Sequence, residues 1–560
     1  MFLRTQIPGA FPEKNPVSPF SKFQIKIQLL FKLNLYFIIF LGSNLFAQTP
    51  ALEWTSSYYN PFSFSNSMSK DALGNIFICG YHLPNNRSNY LTIKFNTNGV
   101  YNWASFYQGL DTFTLGTVDI AKKNIADGIG NVYVGGTSLN NSNYDDVVLI
   151  KYNNQGDSIW TARYNGNKNG LDQFADMVMD KYKNVYVTAL SAQQNTGIDF
   201  LTLKFDSSGT LLWSATYNNI FDSSDEPQAI TLDSFQNVYI TGYGLGPNFR
   251  NEYITVKYNS AGVFQWASKH NAGRGARALK IGTDGENNIY VTGMVDSAEI
   301  NFHTKYRTIK YDPDGNELWY RDFNSMIYIM NIPFNMVIDG LNSPIIIGTS
   351  IVKYSSNGKF VWADTVRRGY WGSLDEKNNL YIAGVRADTG LHWYMQTIKY
   401  LPNGSKQWVL DFGGVPNENY SPSDIIYENN SIYISANYEY NGQNGLDSVV
   451  LVKYSIPVGI NSQNNQIPEK FELFQNYPNP FNPATKIKFS IPVNIKYTKS
   501  KIELNIYDIT GKLVQNLFKG EIQAGGYEIE FNAAGYSSGV YFYTLNTGSY
   551  TITKKMILIK

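Results

Sequence analysis

The chain has 560 residues, a formal net charge of +1 and only 16% charged residues. That length allows ample core and more than one domain. The near-neutral balance gives no electrostatic footprint for nucleic acid or for an acidic surface, and the single cysteine, Cys79, excludes a disulfide framework.

At the N-terminus, Lys22, Lys26 and Lys32 precede the apolar run Leu33–Leu41, which ends in Asn44-Leu-Phe-Ala-Gln48. A basic flank, a short apolar core and a small residue read as a secretory signal peptide cut after Ala47. The run is too short for a membrane anchor and is broken by Asn34 and Gly42, so the mature chain is expected to have no membrane span. Residues 1–21 read as an extension ahead of the signal, consistent with a start codon assigned too far upstream.

From residue 51 a single grammar recurs: turn, β-run, loop, β-run, tight turn, β-run. A Lys in an Ile-Lys-Tyr-like run marks the period at Lys94, Lys151, Lys204, Lys257, Lys310, Lys353, Lys399 and Lys453. A Trp follows at Trp103, Trp160, Trp213, Trp266, Trp319, Trp362 and Trp408, with Trp54 standing ahead of the first unit. An Asp-x-x-x-Asn turn recurs from Asp71/Asn75 to Asp375/Asn379, degenerating to Asp339/Ser343 and Tyr427/Ser431. Each unit holds four strands, which is the blade of a β-propeller. The short turns make hairpins of strands one and two and of strands three and four. The Trp strand is then outermost. The last unit lacks a Trp strand and Trp54 lacks a unit, so the strand over 51–59 is expected to close the final blade. The reading is all-β: an eight-bladed β-propeller over 48–455, with seven blades as the alternative, closed by the N-terminal strand.

After Lys453 the grammar stops. Residues 456–470 are polar, carry no strand signal and read as a linker. Residues 471–560 alternate again, with Ile487, Phe489 and Ile491 and then Ile502, Leu504 and Ile506 on one face. Some seven short strands in this length suggest a small immunoglobulin-like β-sandwich.

Two stretches carry a resemblance. Phe474-Gln-Asn-Tyr-Pro-Asn-Pro-Phe-Asn-Pro-Ala-Thr485, Tyr507-Asp-Ile-Thr-Gly-Lys512, Ser538-Gly-Val-Tyr-Phe-Tyr543 and Lys554-Lys-Met-Ile-Leu-Ile-Lys560 resemble the type A C-terminal sorting domain of the type IX secretion system. The resemblance implies that residues 471–560 address the chain to the type IX secretion machinery, and that it is released or held at the outer cell surface. The repeats resemble the SBBP-type β-propeller family, which implies a propeller, conventionally of seven blades, and is nearly silent on activity.

The repeated Asp, Asn and Lys suit acid–base chemistry one by one. Their presence in nearly every blade assigns them instead to a structural Asp–Lys pair and a hydrogen-bonded Asx turn. His82, His270, His303 and His392 have no metal-ligand spacing, and Asp312-Pro-Asp314-Gly315 lacks the later ligands of a calcium loop. Asp222, Asp225 and Glu226 read as a solvated inter-blade loop. Cys79 reads as a small buried hydrophobe. No metal and no cofactor are expected. The function expected is that of a secreted or cell-surface, non-catalytic binding or scaffold protein with a glycan or protein ligand; the alternative is a polysaccharide hydrolase or lyase. Trp371 and Trp393 stand outside the repeat, and the Trp362–Asp375 interval is 13 residues where the other blades take 17 to 24. The expected binding site is a notch between blades six and seven formed by Trp371 and Trp393, with Tyr370, His392 and Arg368 nearby.

Overall fold

A computed structural model describes residues 49–560, apart from 85–86, 110–118, 143, 167–169, 220–222, 247–248, 273–274, 297–302, 326–329, 366–367, 388–392, 414–417, 441–447, 457–460, 463–467, 469, 493–499, 523–524 and 549. The signal-peptide reading of 1–47 lies outside the described residues, as do Asp222 and His392.

Eight four-stranded antiparallel sheets make the propeller. The first blade runs from its inner strand Ser63–Lys70 through Ile76–His82 and Asn89–Phe95 to its outer strand Tyr101–Tyr107. In the last blade, Glu418–Glu428, Ser431–Tyr440 and Ser448–Ser455 supply three strands. The fourth is Ala51–Tyr58, which pairs antiparallel with Ser448–Ser455, Thr55 facing Val452 and Tyr58 facing Val449. The ring is therefore closed by its own first strand, and the count is eight.

The repeated turn is built as its residues dictate. Asp71 Oδ1 accepts the Asn75 amide at 2.8 Å and Oδ2 accepts Asn75 Nδ2 at 2.7 Å, which satisfies a tight turn without water. The same pairing holds at Asp233 and Asn237.

The Lys reaches further than its own blade. Lys257 Nζ donates to the Pro313 carbonyl of the next blade at 2.7 Å, and Trp266 Nε1 donates to the same oxygen at 3.1 Å. The carbonyls of Asn154, Ser207, Ser260, Ser356 and Pro402 are clasped in the same way by Lys94/Trp103, Lys151/Trp160, Lys204/Trp213, Lys310/Trp319 and Lys353/Trp362. The expected Asp–Lys pair is present at Lys310–Asp284 (3.2 Å) and Lys353–Asp339 (2.6 Å). The recurrent partner of the Lys, however, is a carbonyl in the neighbouring blade. Burial pulls the Lys94, Lys204 and Lys399 ammonium groups below the ordinary lysine value, with Asp71, Asp180 and Asp375 opposing it.

The clasped turn needs glycine for two reasons. At Gly262 the φ is +81° and an added Cβ would lie 2.6 Å from Trp213 Cδ2. Trp54 presses in the same way on Gly99, sealing blade eight to blade one. Blade eight has no hairpin between its third and fourth strands, so Trp408 of blade seven is packed in an apolar cluster instead. Gly128 has a φ of +84° with nothing within 4 Å of an added Cβ. Gly128→Ala should therefore cost about 1 kcal/mol, the left-handed penalty alone. Gly262→Ala should cost about 3 kcal/mol, because the indole must also move. Denaturant midpoints of the two variants check this, and equal losses would remove the Trp–Gly clasp from the account.

Each inner strand carries a β-bulge, as at Pro227/Ala229 and Gly369/Trp371. The opposing second strand often supplies a glycine there, and an added Cβ at Gly242 would lie 2.1 Å from the Glu226 carbonyl oxygen.

The C-terminal unit is a β-sandwich. One sheet orders Leu513–Ile522, Ser500–Asp508, Gly539–Asn546 and Thr551–Leu558; the other contains Gly525–Asn532, Ala484–Ile491 and Glu472–Leu473. Ile487, Phe489, Ile491, Ile502, Leu504 and Ile506 all enter its core. Its eighth strand is Asn461–Ser462, which pairs with Glu528 and Tyr527. That two-residue pairing falls in the stretch expected to be linker only. It is made by backbone groups, which leave no side-chain pattern to read.

Candidate functional site

In blades two, three, four and six the face that carries the inter-blade crossovers is held by a buried polar residue at or just ahead of the start of the inner strand. Asp119 Oδ2 accepts the Gly109 amide at 2.7 Å, and Asp172 and Asp225 accept those of Gly166 and Asn219, each at 2.6 Å. In blade six Asn331 takes this place and receives the Ser325 amide at 3.4 Å. Asp225 is therefore fully buried rather than part of a solvated loop. Burial pushes its carboxyl up to about 6, with Asp199 and Glu252 adding like charge.

This gives a pH test. The folded pKa lies above the ordinary value of about 4, so the folded state holds the proton more tightly between those values. The stability from Asp225 is full below about pH 4 and lost as pH rises through about 6. Asp225→Asn should match the parent at low pH and exceed it by on the order of 2 kcal/mol at pH 7, as melting curves at both pH values will show. A variant that loses stability equally at both would contradict the assignment.

Along the axis, the residues after the bulges of blades two, three and eight reach the next blade. Lys123 Nζ sits 2.6 Å from Asp176 Oδ1, whose Oδ2 accepts the Ile230 amide at 3.2 Å. Asp424 Oδ2 likewise accepts the Met68 amide at 3.0 Å, and burial pushes this carboxyl up to about 6. These charged groups join blades. Trp371 occupies the same register in blade seven, and its half-buried ring packs against the apolar cluster that blade seven shares with Ile425, Ile434 and Ala436 of blade eight.

A cavity of about 480 Å³ opens on the crossover face. Blade seven lines it with Tyr370, Val385 and Trp393, blade one with Phe64. Blade eight supplies Asn419, Tyr420, Ser421, Asn437, Tyr438 and Glu439. Two of the expected residues, Tyr370 and Trp393, thus come together, and Trp393 is 39% exposed. Trp371 does not line the cavity. The bulge turns Tyr370 toward Phe334, ring centroids 5.1 Å apart, while the next residue points into the seam with blade eight. The cavity also lies one seam further round the ring than the short loops suggest. The Arg368 side chain, like His392, lies outside the described residues.

The walls are fixed by their own contacts. Tyr420 and Tyr438 stand 5.2 Å apart, and both hydroxyls donate to Glu418, at 3.1 and 3.5 Å. Asn419 Oδ1 accepts the Trp393 amide at 3.0 Å. Asn437 bridges blade eight to blade one, taking the Ser65 amide at 2.6 Å and returning Nδ2 to the Ser65 carbonyl at 3.1 Å. Burial, with Glu418 beside them, holds the Tyr420 and Tyr438 hydroxyls above the ordinary tyrosine value, so both are neutral donors. Sequence reasoning missed Tyr420 and Tyr438. The available signal was a departure from the repeat, since Tyr420 stands where other blades carry Asp119, Asp172, Asp225 and Asn331.

Residues 475–560 match the family described as the secretion system C-terminal sorting domain. The C-terminal sandwich is a secretion-system sorting domain. Residues 221–250 match the β-propeller repeat family named SBBP. The sorting domain places the chain among proteins exported to the outer surface or beyond. A WD repeat-containing protein, L264 of Acanthamoeba polyphaga mimivirus, is 26% identical over 215 residues, covering 38% of this chain and 13% of that protein. Sqt1 of Chaetomium thermophilum is 7% identical with a TM-score of 0.44, covering 72% of this chain and 98% of that one. The polysaccharide lyase Uly1 is 9% identical with a TM-score of 0.38, covering 58% and 88%. Among the described residues no helix is long and apolar enough to cross a membrane, and no group of three His, Cys, Asp or Glu side chains is placed to hold a metal.

Proposed function

We propose that this chain is a non-catalytic binding protein of the cell exterior, with the cavity between blades seven, eight and one as its ligand seat. Residues 1–47 serve as the first export signal, and the sorting domain then hands the chain to the type IX machinery. The observation that carries the reading is a preformed aromatic cavity whose described lining holds no acid–base constellation. Tyr420 and Tyr438 are neutral, and the one described lining carboxylate is that of Glu439. A preorganised wall favours affinity, because little ordering remains to be done on binding.

The test is incubation of the purified full chain with polysaccharide and peptide panels, following both binding and product release. Binding without products is expected, with Trp393→Ala weakening it at least tenfold. Turnover abolished by Glu439→Gln would replace this reading with a polysaccharide hydrolase or lyase.

A further inference from the structure

We infer that the cavity takes an uncharged glycan chain, an inference that deepens the binding reading above and rests on it. The first ground is the alternation of its walls. The rings of Phe64, Tyr370 and Trp393 come from two different blades, and Asn419, Ser421 and Glu439 stand between them. A pyranose ring has apolar C–H faces and a polar hydroxyl rim. Aromatic faces meet the first, and amide, hydroxyl and carboxylate groups meet the second.

The second ground is charge. Among the described residues the lining holds no Lys, Arg or His. Arg386, next to Val385 in the chain, is already engaged: it stacks 4.7 Å from the Tyr394 ring centroid and pairs with Asp411 at 3.1 Å. Glu439 lies in the wall, Glu418 lies behind the two tyrosines, and the propeller sequence carries more Asp and Glu than Lys and Arg. A uronate or sulfate group would enter against these carboxylates with no described cation to meet it, and like-charge juxtaposition discriminates strongly. The third ground is the backbone. A bound peptide strand needs a free row of amides and carbonyls, but here the Trp393 amide is taken by Asn419 and the Ser65 amide and carbonyl by Asn437.

Four ligand sets presented to the full chain test this: neutral polysaccharides, uronate polymers, sulfated polysaccharides and a peptide library, each by array and then by calorimetric titration. Binding confined to the neutral set is expected, little changed between low and high salt and weakened at least tenfold by Trp393→Ala. Phe235→Ala, at an exposed turn tip on the opposite face, should leave it unchanged. Selective binding of uronate or sulfated chains, or of peptides, through Trp393 would overturn the glycan class while leaving the binding reading in place. Binding in no set would overturn both.

Discussion

Removal of residues 49–60 should destabilise the propeller by about 5 kcal/mol. The deletion strips blade eight of its outer strand and leaves Ser448–Ser455 as an open edge. It also removes Trp54 and Tyr58 from the apolar cluster shared by blades eight and one, and it takes Glu53 from Lys453, 2.9 Å away. Two half-buried aromatics account for about 3 kcal/mol of the loss and the unmade strand pairing for most of the rest. Spread over the unfolding entropy of some 400 residues, that is a fall of about 6 °C in the midpoint, accompanied by aggregation through the freed edge. Calorimetry beside the parent chain decides it. A deletion that melts with the parent would mean that the ring is closed by something other than its first strand.

Trp362→Ala should cost about 3–5 kcal/mol, the range for emptying a buried aromatic site. The indole is 8% exposed, stacks on Tyr400 with centroids 5.4 Å apart, and donates to the Pro402 carbonyl at 3.1 Å. The variant leaves that carbonyl to Lys353 alone, at 3.4 Å, and opens a void beneath Gly404. Trp393→Ala, at a 39% exposed ring, should stay within about 1 kcal/mol of the parent. Urea midpoints of the two variants measured together test whether the repeated Trp is a clasp and the unrepeated one a surface group. Equal losses, or a greater loss at Trp393, would reverse those roles.

The contrast between these two tryptophans also marks what the sequence determined by itself. Turn chemistry is local: an Asp that can cap an amide four residues on, and a Gly placed where φ is positive, fix hairpins without reference to the rest of the chain. Counting those hairpins gave the blades, and one unmatched Trp strand at the start and one unmatched unit at the end gave the closure. The C-terminal sandwich was equally legible, because its alternating Ile and Phe residues face one core. Only the tertiary structure decided which side chains share a face near the axis. A bulge in the inner strand shifts the alternation by one residue, so Tyr370 turns to the cavity and Trp371 to the seam with blade eight. The carbonyl clasp was hidden because its acceptor is a backbone atom, carried by residues as different as Asn154, Ser207 and Pro313. Asp225 read as solvated because its partner amide has no side-chain signature. The cavity was hidden because it is made where the ends of the ring meet: Asn437 and Ser65 touch across 372 residues of sequence, and no local pattern records a contact that exists only once the ring is closed.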